Sequence, residues 1–432
     1  MTHHPSQQAP SHHELVRVFG RIGLLSFGGP AAQIALMQRE LVESRLWLEQ
    51  AEFLRALSFC MLLPGPEAMQ LATYAGWRLR GTLGGLIAGG LFVLPGALVI
   101  FGLALAYASY GQLDVVQALF LGIKAAVVVI VLMALRGLAK RALRGRMDYV
   151  LAALSFFGIF FFQLPFPVII AVAALWGFVI ATQDSTTTEK ARPDQAASAF
   201  APPVLLRNSL QTASLWLALW LIPLGLLIWL ERGLLAELAM FFSTLAVVTF
   251  GGAYAVLAYM TQAVVTDFGW LSTGQMIDAL GLAETTPGPL ILVTQFVGIL
   301  AGLSQGGPAL GVAAGIVTLW MTFVPCFLWI FTGAPYISAL AHKPRLRGAL
   351  ACITAAVVGV ILNLSLWFAL HVLFMEVTLT GFGPVPVWSG FIWQAAGLIG
   401  LAFLLQLRLA LPLPAFLAVM AVAGFALDQV MI

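Results

Sequence analysis

Two short motifs occur twice in this 432-residue chain, and each interrupts an apolar run. Phe27-Gly28-Gly29 returns as Phe250-Gly251-Gly252, and Pro64-Gly65-Pro66 returns as Pro287-Gly288-Pro289, both displaced by 223 residues. Proline lacks an N–H and clashes with the preceding turn, so Pro-Gly-Pro stops a helix rather than bending it. A half-helix that restarts after such a stop presents unpaired N–H groups and roughly half a positive charge. Termini of that kind attract anions. Gln33, Gln70, Thr285, Thr286, Thr294 and Gln295 flank the breaks and could hydrogen-bond the oxygens of an oxyanion. Gly28, Gly29, Gly65, Gly251, Gly252 and Gly288 permit close backbone approach, with Pro30, Pro64, Pro66, Pro287 and Pro289 setting the stops. Duplication at identical spacing argues against a packing role alone.

Ionisable residues within the apolar regions are few, and each costs energy to place there. Glu67 directly follows the first Pro-Gly-Pro, and Glu284 precedes the second. Lys124 lies midway along an apolar run, while Arg17 and Arg21 share one helix face leading to the first Phe-Gly-Gly. Lys124 and Arg21 could balance a dianion, and a glutamate could carry a coupling proton. The plain alternatives are snorkelling for Arg17 and Lys124 and a helix N-terminal role for Glu67. Ion-binding carboxylate clusters are absent from the sequence, which argues against a metal-cation carrier; no metal site and no cofactor are expected. Catalysis is not expected either: no GxxxxGK[ST] occurs, and Gly302-Leu303-Ser304-Gln305-Gly306 lies between membrane segments without a triad partner. Cys60, Cys326 and Cys352 show no CxxC spacing and read as buried small hydrophobes.

The elements that must carry these motifs follow from composition. Hydrophobic residues make up 61% of the chain and charged residues 9%, against about 25% charged in soluble domains. Mean hydropathy is +0.98. Residues 83–107, 210–230, 309–332, 349–370 and 388–407 contain no charged side chain, and runs of about 18 apolar residues span a ~30 Å hydrocarbon core. A polytopic helical membrane protein follows, with about ten to thirteen membrane elements. The formal net charge of +3 gives no reason to expect nucleic acid. Residues 1–14, rich in His and lacking Lys and Arg, read as a disordered tail rather than a signal peptide. The polar stretch 183–203 reads as a cytoplasmic linker between two membrane repeats, 15–182 and 204–432, the second with additional helices.

The repeats match without a gap from Phe27 to Pro66, including Met37 with Met260, Trp47-Leu48 with Trp270-Leu271 and Ala56-Leu57 with Ala279-Leu280. Glycine ladders follow in each: Gly81, Gly85 and Gly89, then Gly307, Gly311 and Gly315, read as faces for close helix packing. Arg39, Arg45 and Arg55 have no basic counterpart in 262–278, and the basic run 136–146 has none in 366–376. Lys343, Arg345 and Arg347 in turn match a bare stretch of the first repeat. Basic loops mark the cytoplasmic side, so corresponding loops face opposite sides, the signature of an inverted repeat. Parity then requires that the Pro-Gly-Pro-interrupted segment 54–77 re-enter rather than cross. The expected fold is an all-α polytopic membrane protein: two homologous halves in inverted topology, with broken or re-entrant helices at the FGG and PGP motifs.

Ser26-Phe27-Gly28-Gly29-Pro30, Met61-Leu62-Leu63-Pro64-Gly65-Pro66-Glu67-Ala68 and Leu71-Ala72-Thr73-Tyr74 resemble the first half of the chromate ion transporter family. Thr249-Phe250-Gly251-Gly252-Ala253-Tyr254 and Gly281-Leu282-Ala283-Glu284-Thr285-Thr286-Pro287-Gly288-Pro289-Leu290 resemble its second half, in the long two-domain form. Met69 departs from the pattern, standing where a Gln is expected beside Gln70. The resemblance implies a multi-pass protein of the bacterial inner membrane that expels chromate and confers resistance, with sulfate as the structural analogue. The combined expectation is secondary active efflux of a tetrahedral dianion. A carrier or channel for another anion, or a non-transporting scaffold, is the alternative. The partners expected are chromate or sulfate and the lipid bilayer, with a homodimer left open.

Overall fold

A computed structural model describes residues 10–180, 203–250, 252–337, 343–380 and 383–431. Most of the expected tail, nearly all of the linker, and Gly251 lie outside the described residues. The first repeat supplies α1 (His12–Leu25), α2 (Gly29–Gln38) running into a π-helical turn (Arg39–Ser44), α3 (Gln50–Cys60) and α4 (Glu67–Tyr110). It continues with α5 (Asp114–Ala142), α6 (Arg146–Phe162) and α7 (Phe166–Ile180). After α8 (Pro203–Trp229) the series recurs as α9 (Leu234–Val248), α10 (Ala253–Gln262) with its own π-helical turn (Ala263–Asp267), and α11 (Thr273–Thr285). A short 3-10 turn (Leu290–Leu292) leads into α12 (Val293–Gly333), followed by α13 (Pro344–Leu373), α14 (Trp393–Leu409) and α15 (Leu413–Met431). Among the described residues, five helices are long and apolar enough to cross a membrane, with shorter apolar helices beside them. The chain is a multi-pass helical membrane protein.

Two local findings differ from the sequence reading. Helix α1 begins at His12, inside the stretch read as tail, because Ser11 and Glu14 form a reciprocal capping box that satisfies two orphan N–H groups. Strands Val377–Thr380 and Gly383–Pro386 pair antiparallel, an exception to the all-α expectation.

Helices α4 and α12 each fold back on themselves. In α4 the reversal falls at Arg80 and Gly81, the latter at φ 65°, a conformation open to glycine because it has no Cβ. In α12 it falls at Gly306 and Gly307, at φ 76°. A Cβ at Gly76 would collide with the Gly84 carbonyl, and one at Gly89 with the Thr73 hydroxyl. One at Gly302 would lie 2.6 Å from the Leu310 carbonyl oxygen, and one at Gly315 2.6 Å from the Ile299 side chain. In each case contact partners rise in number on one arm as they fall on the other, so the arms run antiparallel. The glycine ladders therefore serve two purposes, the first member turning the chain and the later ones letting the arms touch.

Other contacts fix where the remaining helices lie. The Arg80 guanidinium donates to the Pro10 carbonyl, and Gly23 abuts Leu91 and Pro95. Helix α1 thus starts beside the α4 turn and ends against the middle of its second arm. Arg78 pairs with Glu52, holding the start of α3 beside the end of α4's first arm. The second arms of α4 and α12 pack antiparallel, with Gly85 against the Phe331 ring and Gly89 against that of Phe327. Helix α8 runs antiparallel to the second arm of α12, through Ser209 with Tyr336 and the Leu219 carbonyl with Trp320.

The closing helix pair of each repeat packs on the long helix of the other. Gly359 of α13 abuts Ala152 of α6, and Gly177 of α7 abuts Gly348 of α13. Reciprocally, Gly122 of α5 abuts Met420 of α15, in a cluster with Leu398, Ala402, Phe416 and Leu417. Overpacking such a seam costs about 1–3 kcal/mol or more. Gly359→Leu should therefore lower the thermal unfolding midpoint in detergent. Gly400→Leu, where a Cβ meets nothing within 4 Å, should leave it unchanged.

Candidate functional site

The helix breaks meet in two pairs, and each pair crosses from one repeat to the other. The Gly65 N–H donates to the Thr249 carbonyl at 3.0 Å, and the Gly288 N–H donates to the Ser26 carbonyl at 2.8 Å. Ser26 and Thr249 are repeat equivalents, as are Gly65 and Gly288, so each Pro-Gly-Pro is tied to the residue before the other repeat's Phe-Gly-Gly. The Ser26 and Thr249 hydroxyls both donate back to carbonyls four residues earlier, Ile22 and Leu245. Gly28, Gly29, Gly65, Gly252 and Gly288 all have positive φ, between 77° and 110°. Gly288 lies against Phe92 and Gly96 in the middle of α4's second arm.

Most donors proposed for ligand binding are occupied in this arrangement. The Gln33 amide donates to the Gly288 carbonyl at 2.7 Å, and the Gln70 amide to the Pro64 carbonyl at 2.7 Å. The Thr285 and Thr286 hydroxyls donate to Leu282 and Ala283 at the end of their own helix. The Thr294 hydroxyl lies 3.4 Å from that of Thr322, whose own hydrogen goes to the Thr318 carbonyl at 2.7 Å. The carbonyl oxygens of the buried Gln70 and Gln295 side chains have no partner. The N-cap residues of α2, α4, α10 and the turn before α12 are Gly28, Pro66, Gly252 and Pro289, and none supplies a side-chain cap. Pro30 sits in the first turn of α2, where a missing N–H costs nothing. The free first-turn N–H groups of these helices are the donors left for an anion. Half-buried Glu67 already places a carboxylate at the start of α4, which leaves α2, α10 and α12 as the more electropositive ends.

The charged candidates have partners of their own. Lys124 of α5 lies 3.1 Å from Asp278 of α11, and the Tyr107 hydroxyl donates to the same carboxylate at 2.7 Å. This buried cluster joins the two repeats. Glu284 accepts a hydrogen bond from Tyr254 at 3.0 Å, bracing the helix before Pro-Gly-Pro against the one after Phe-Gly-Gly. Arg21, largely exposed, approaches Glu40 at 3.8 Å, and Arg45 holds Glu40 more closely at 2.7 Å. Asp278, Tyr107, Tyr254 and Glu40 were not singled out from sequence as site residues. Asp278 carries the clearest signal in retrospect, a carboxylate inside an apolar helix.

The two hairpins differ in their surroundings. Residues 276–284 of α11 are all buried, whereas α3 leaves Leu54, Arg55 and Ser58 exposed.

A family model described as Chromate transporter matches residues 13–178 and 236–425. The chain belongs to the chromate transporter family. A probable chromate transport protein of Synechococcus elongatus is 31% identical over 81% of this chain and 82% of its own length. Chromate transport proteins of Cupriavidus metallidurans and Pseudomonas aeruginosa are 32% and 33% identical, each over 81% of this chain and over 80% and 79% of their own lengths. No solved structure matches. Within this family member both Pro-Gly-Pro breaks and both Phe-Gly-Gly breaks fall inside the matched regions.

Proposed function

We propose that the protein is a secondary active transporter that exports chromate across the bacterial inner membrane and so confers chromate resistance. The observation that carries this reading is the pair of crossed junctions, each tying one repeat's Pro-Gly-Pro to the other repeat's Phe-Gly-Gly beside helix starts that lack side-chain caps. An anion seated there would be held by backbone N–H groups and helix dipoles, in keeping with the chromate transport proteins to which the chain is similar.

The insertion we infer is inverted. The starts of α1 and α3 both neighbour the α4 turn at Arg80, so 12–44 and 50–79 enter and leave from that face as re-entrant hairpins tipped by the breaks. By the same tracing 234–267 and 273–305 enter from the opposite face. Full crossings are then the second arms of α4 and α12 with α5, α6, α7, α8, α13, α14 and α15, nine in all. On this path Arg78, Arg80, Arg144, Lys343, Arg345, Arg347 and Arg408 share one face. Connections at the other face, 111–113, 163–165, 230–233, 268–272 and 374–392, contain Arg232 as their one basic residue. The positive-inside rule makes the basic face cytoplasmic. One hairpin pair is docked and the other exposed, which supports alternating access by exchange of these two arrangements.

Chromate uptake into inside-out vesicles, with and without an imposed proton gradient, tests this reading. Accumulation that requires the gradient is expected. Gradient-independent equilibration would mark a channel, and absence of uptake would overturn chromate as substrate, with sulfate the next anion to assay.

A further inference from the structure

A cavity of about 300 Å³ is lined by none of the helix-break residues. It lies between the end of α6, α10 with its π-helical turn, the start of α11, and α13, with Val377 and Pro384 at its edge. On the path traced above this is the face opposite the basic loops. Its polar lining comprises Gln163, Thr261, Gln262, Thr266, Thr273, Asn363 and His371, set among apolar walls such as Ile159 and Trp367. Among the described residues, no Asp, Glu, Lys or Arg lines it.

Three observations point to a ligand. Thr261 is 3% exposed, and its hydroxyl has no partner. Leaving a buried polar group unsatisfied costs about 1–3 kcal/mol, so the position makes physical sense when something else supplies the bond. The half-buried amides of Gln262 on α10 and Asn363 on α13 reach the same cavity from different helices, together with the exposed Gln163 and Thr266. Finally, Val265 and Thr266 come from the π-helical turn, and such turns recur at functional sites.

The lining chemistry selects the ligand class. A divalent cation would need carboxylate or carbonyl oxygens converging on it, and no carboxylate is present. A purely apolar ligand would face six amide and hydroxyl side chains without satisfying any of them. A small tetrahedral oxyanion accepts hydrogen bonds on every side and suits amides and hydroxyls from several directions. Hydrogen bonds to the ion are charge-assisted through its own charge, but no Lys or Arg among the described lining residues supplies a full counter-charge to retain it, which favours release.

We propose that this cavity is a second oxyanion subsite, an exit station on the side opposite the basic loops. The inference rests on the anion-transport reading above. Asn363→Cys and, separately, Gln163→Cys, each in a chain whose native cysteines are replaced, would be reconstituted into phosphatidylcholine vesicles. Each would be labelled with a sulfonate-bearing thiol reagent. Saturating chromate or sulfate should slow labelling about tenfold at both positions, as occupancy at about ten times Kd requires. Chloride should not. The double variant Thr261→Val with Asn363→Leu should lower chromate efflux about tenfold, equivalent to about 1.4 kcal/mol. Labelling indifferent to both oxyanions at both positions would overturn the subsite, whether or not the wild-type protein moves chromate. Protection by added phosphatidylglycerol alone would assign the cavity to lipid and also overturn it. Protection by sulfate in a protein that moves no chromate would keep the subsite and remove chromate from the proposed function.

Discussion

Replacing Gly288 by leucine should abolish chromate transport while leaving the protein in the membrane. Gly288 sits at φ 90°, where a side chain is strained by about 1–3 kcal/mol. Its N–H reaches Ser26 of the other repeat, and its carbonyl receives the Gln33 amide. A Cβ there would lie 3.1 Å from Leu292 and 3.4 Å from the Phe92 carbonyl, with no flexible neighbour to yield on the backbone side. The substitution therefore shifts the tip of one break against the other repeat. Displacements of about 1 Å at a binding site can cost a hundredfold in rate, and a loss of that order is expected in efflux assays. Gly65→Leu should behave alike, since φ is 110° and a Cβ would stand 3.0 Å from the Gln70 amide and 3.1 Å from Cys326. Quantitative immunoblotting of membranes separates loss of transport from loss of protein. Wild-type efflux by either variant at normal abundance would remove the junction from the account.

The second large effect is expected at Lys124 and Asp278. Asp278 is almost fully buried and Lys124 nearly so, their side chains 2% and 18% exposed. Breaking a buried pair by removing one partner strands a charge and costs about 3–5 kcal/mol, whereas replacing both by apolar groups is often neutral. Lys124→Met and Asp278→Leu should each lower the unfolding midpoint strongly in detergent. The double variant should be more stable than either single one. Four unfolding curves give the coupling energy of the pair directly. Losses that simply add would show that the contact does not hold the two repeats together.

The breaks were legible in sequence because chemistry enforces them. A Pro-Gly-Pro cannot continue a helix, and the positive φ found at Gly65, Gly288, Gly28 and Gly252 is a conformation in which side chains are strained. Long apolar runs were equally plain, since a helix facing lipid has few alternatives. The crossed hydrogen bonds were not legible, because a backbone carbonyl carries no residue-type signal and Thr249 could face any neighbour. The reversal at Gly81 was hidden within a ladder that also packs, so the turning glycine looked like the packing ones. Lys124 stood out as an isolated charge, but its partner lies in the other repeat, and nothing local names it. The start of α1 could have been read, for Ser11 and Glu14 have capping-box spacing; the histidines around them obscured it.

Opposite insertion of the two repeats is the claim on which the rest depends, and one labelling experiment addresses it. Ala51 and Gly274 are exposed, lie in the first turns of α3 and α11, and occupy equivalent places in the repeat. A Cβ at Gly274 meets nothing closer than 4.0 Å, so both positions tolerate cysteine. With native cysteines replaced, a membrane-impermeant maleimide applied to intact cells should label Gly274→Cys and spare Ala51→Cys. In inside-out vesicles the pattern should reverse. Labelling of both positions from the same face would contradict inverted insertion, and with it the two-sided site.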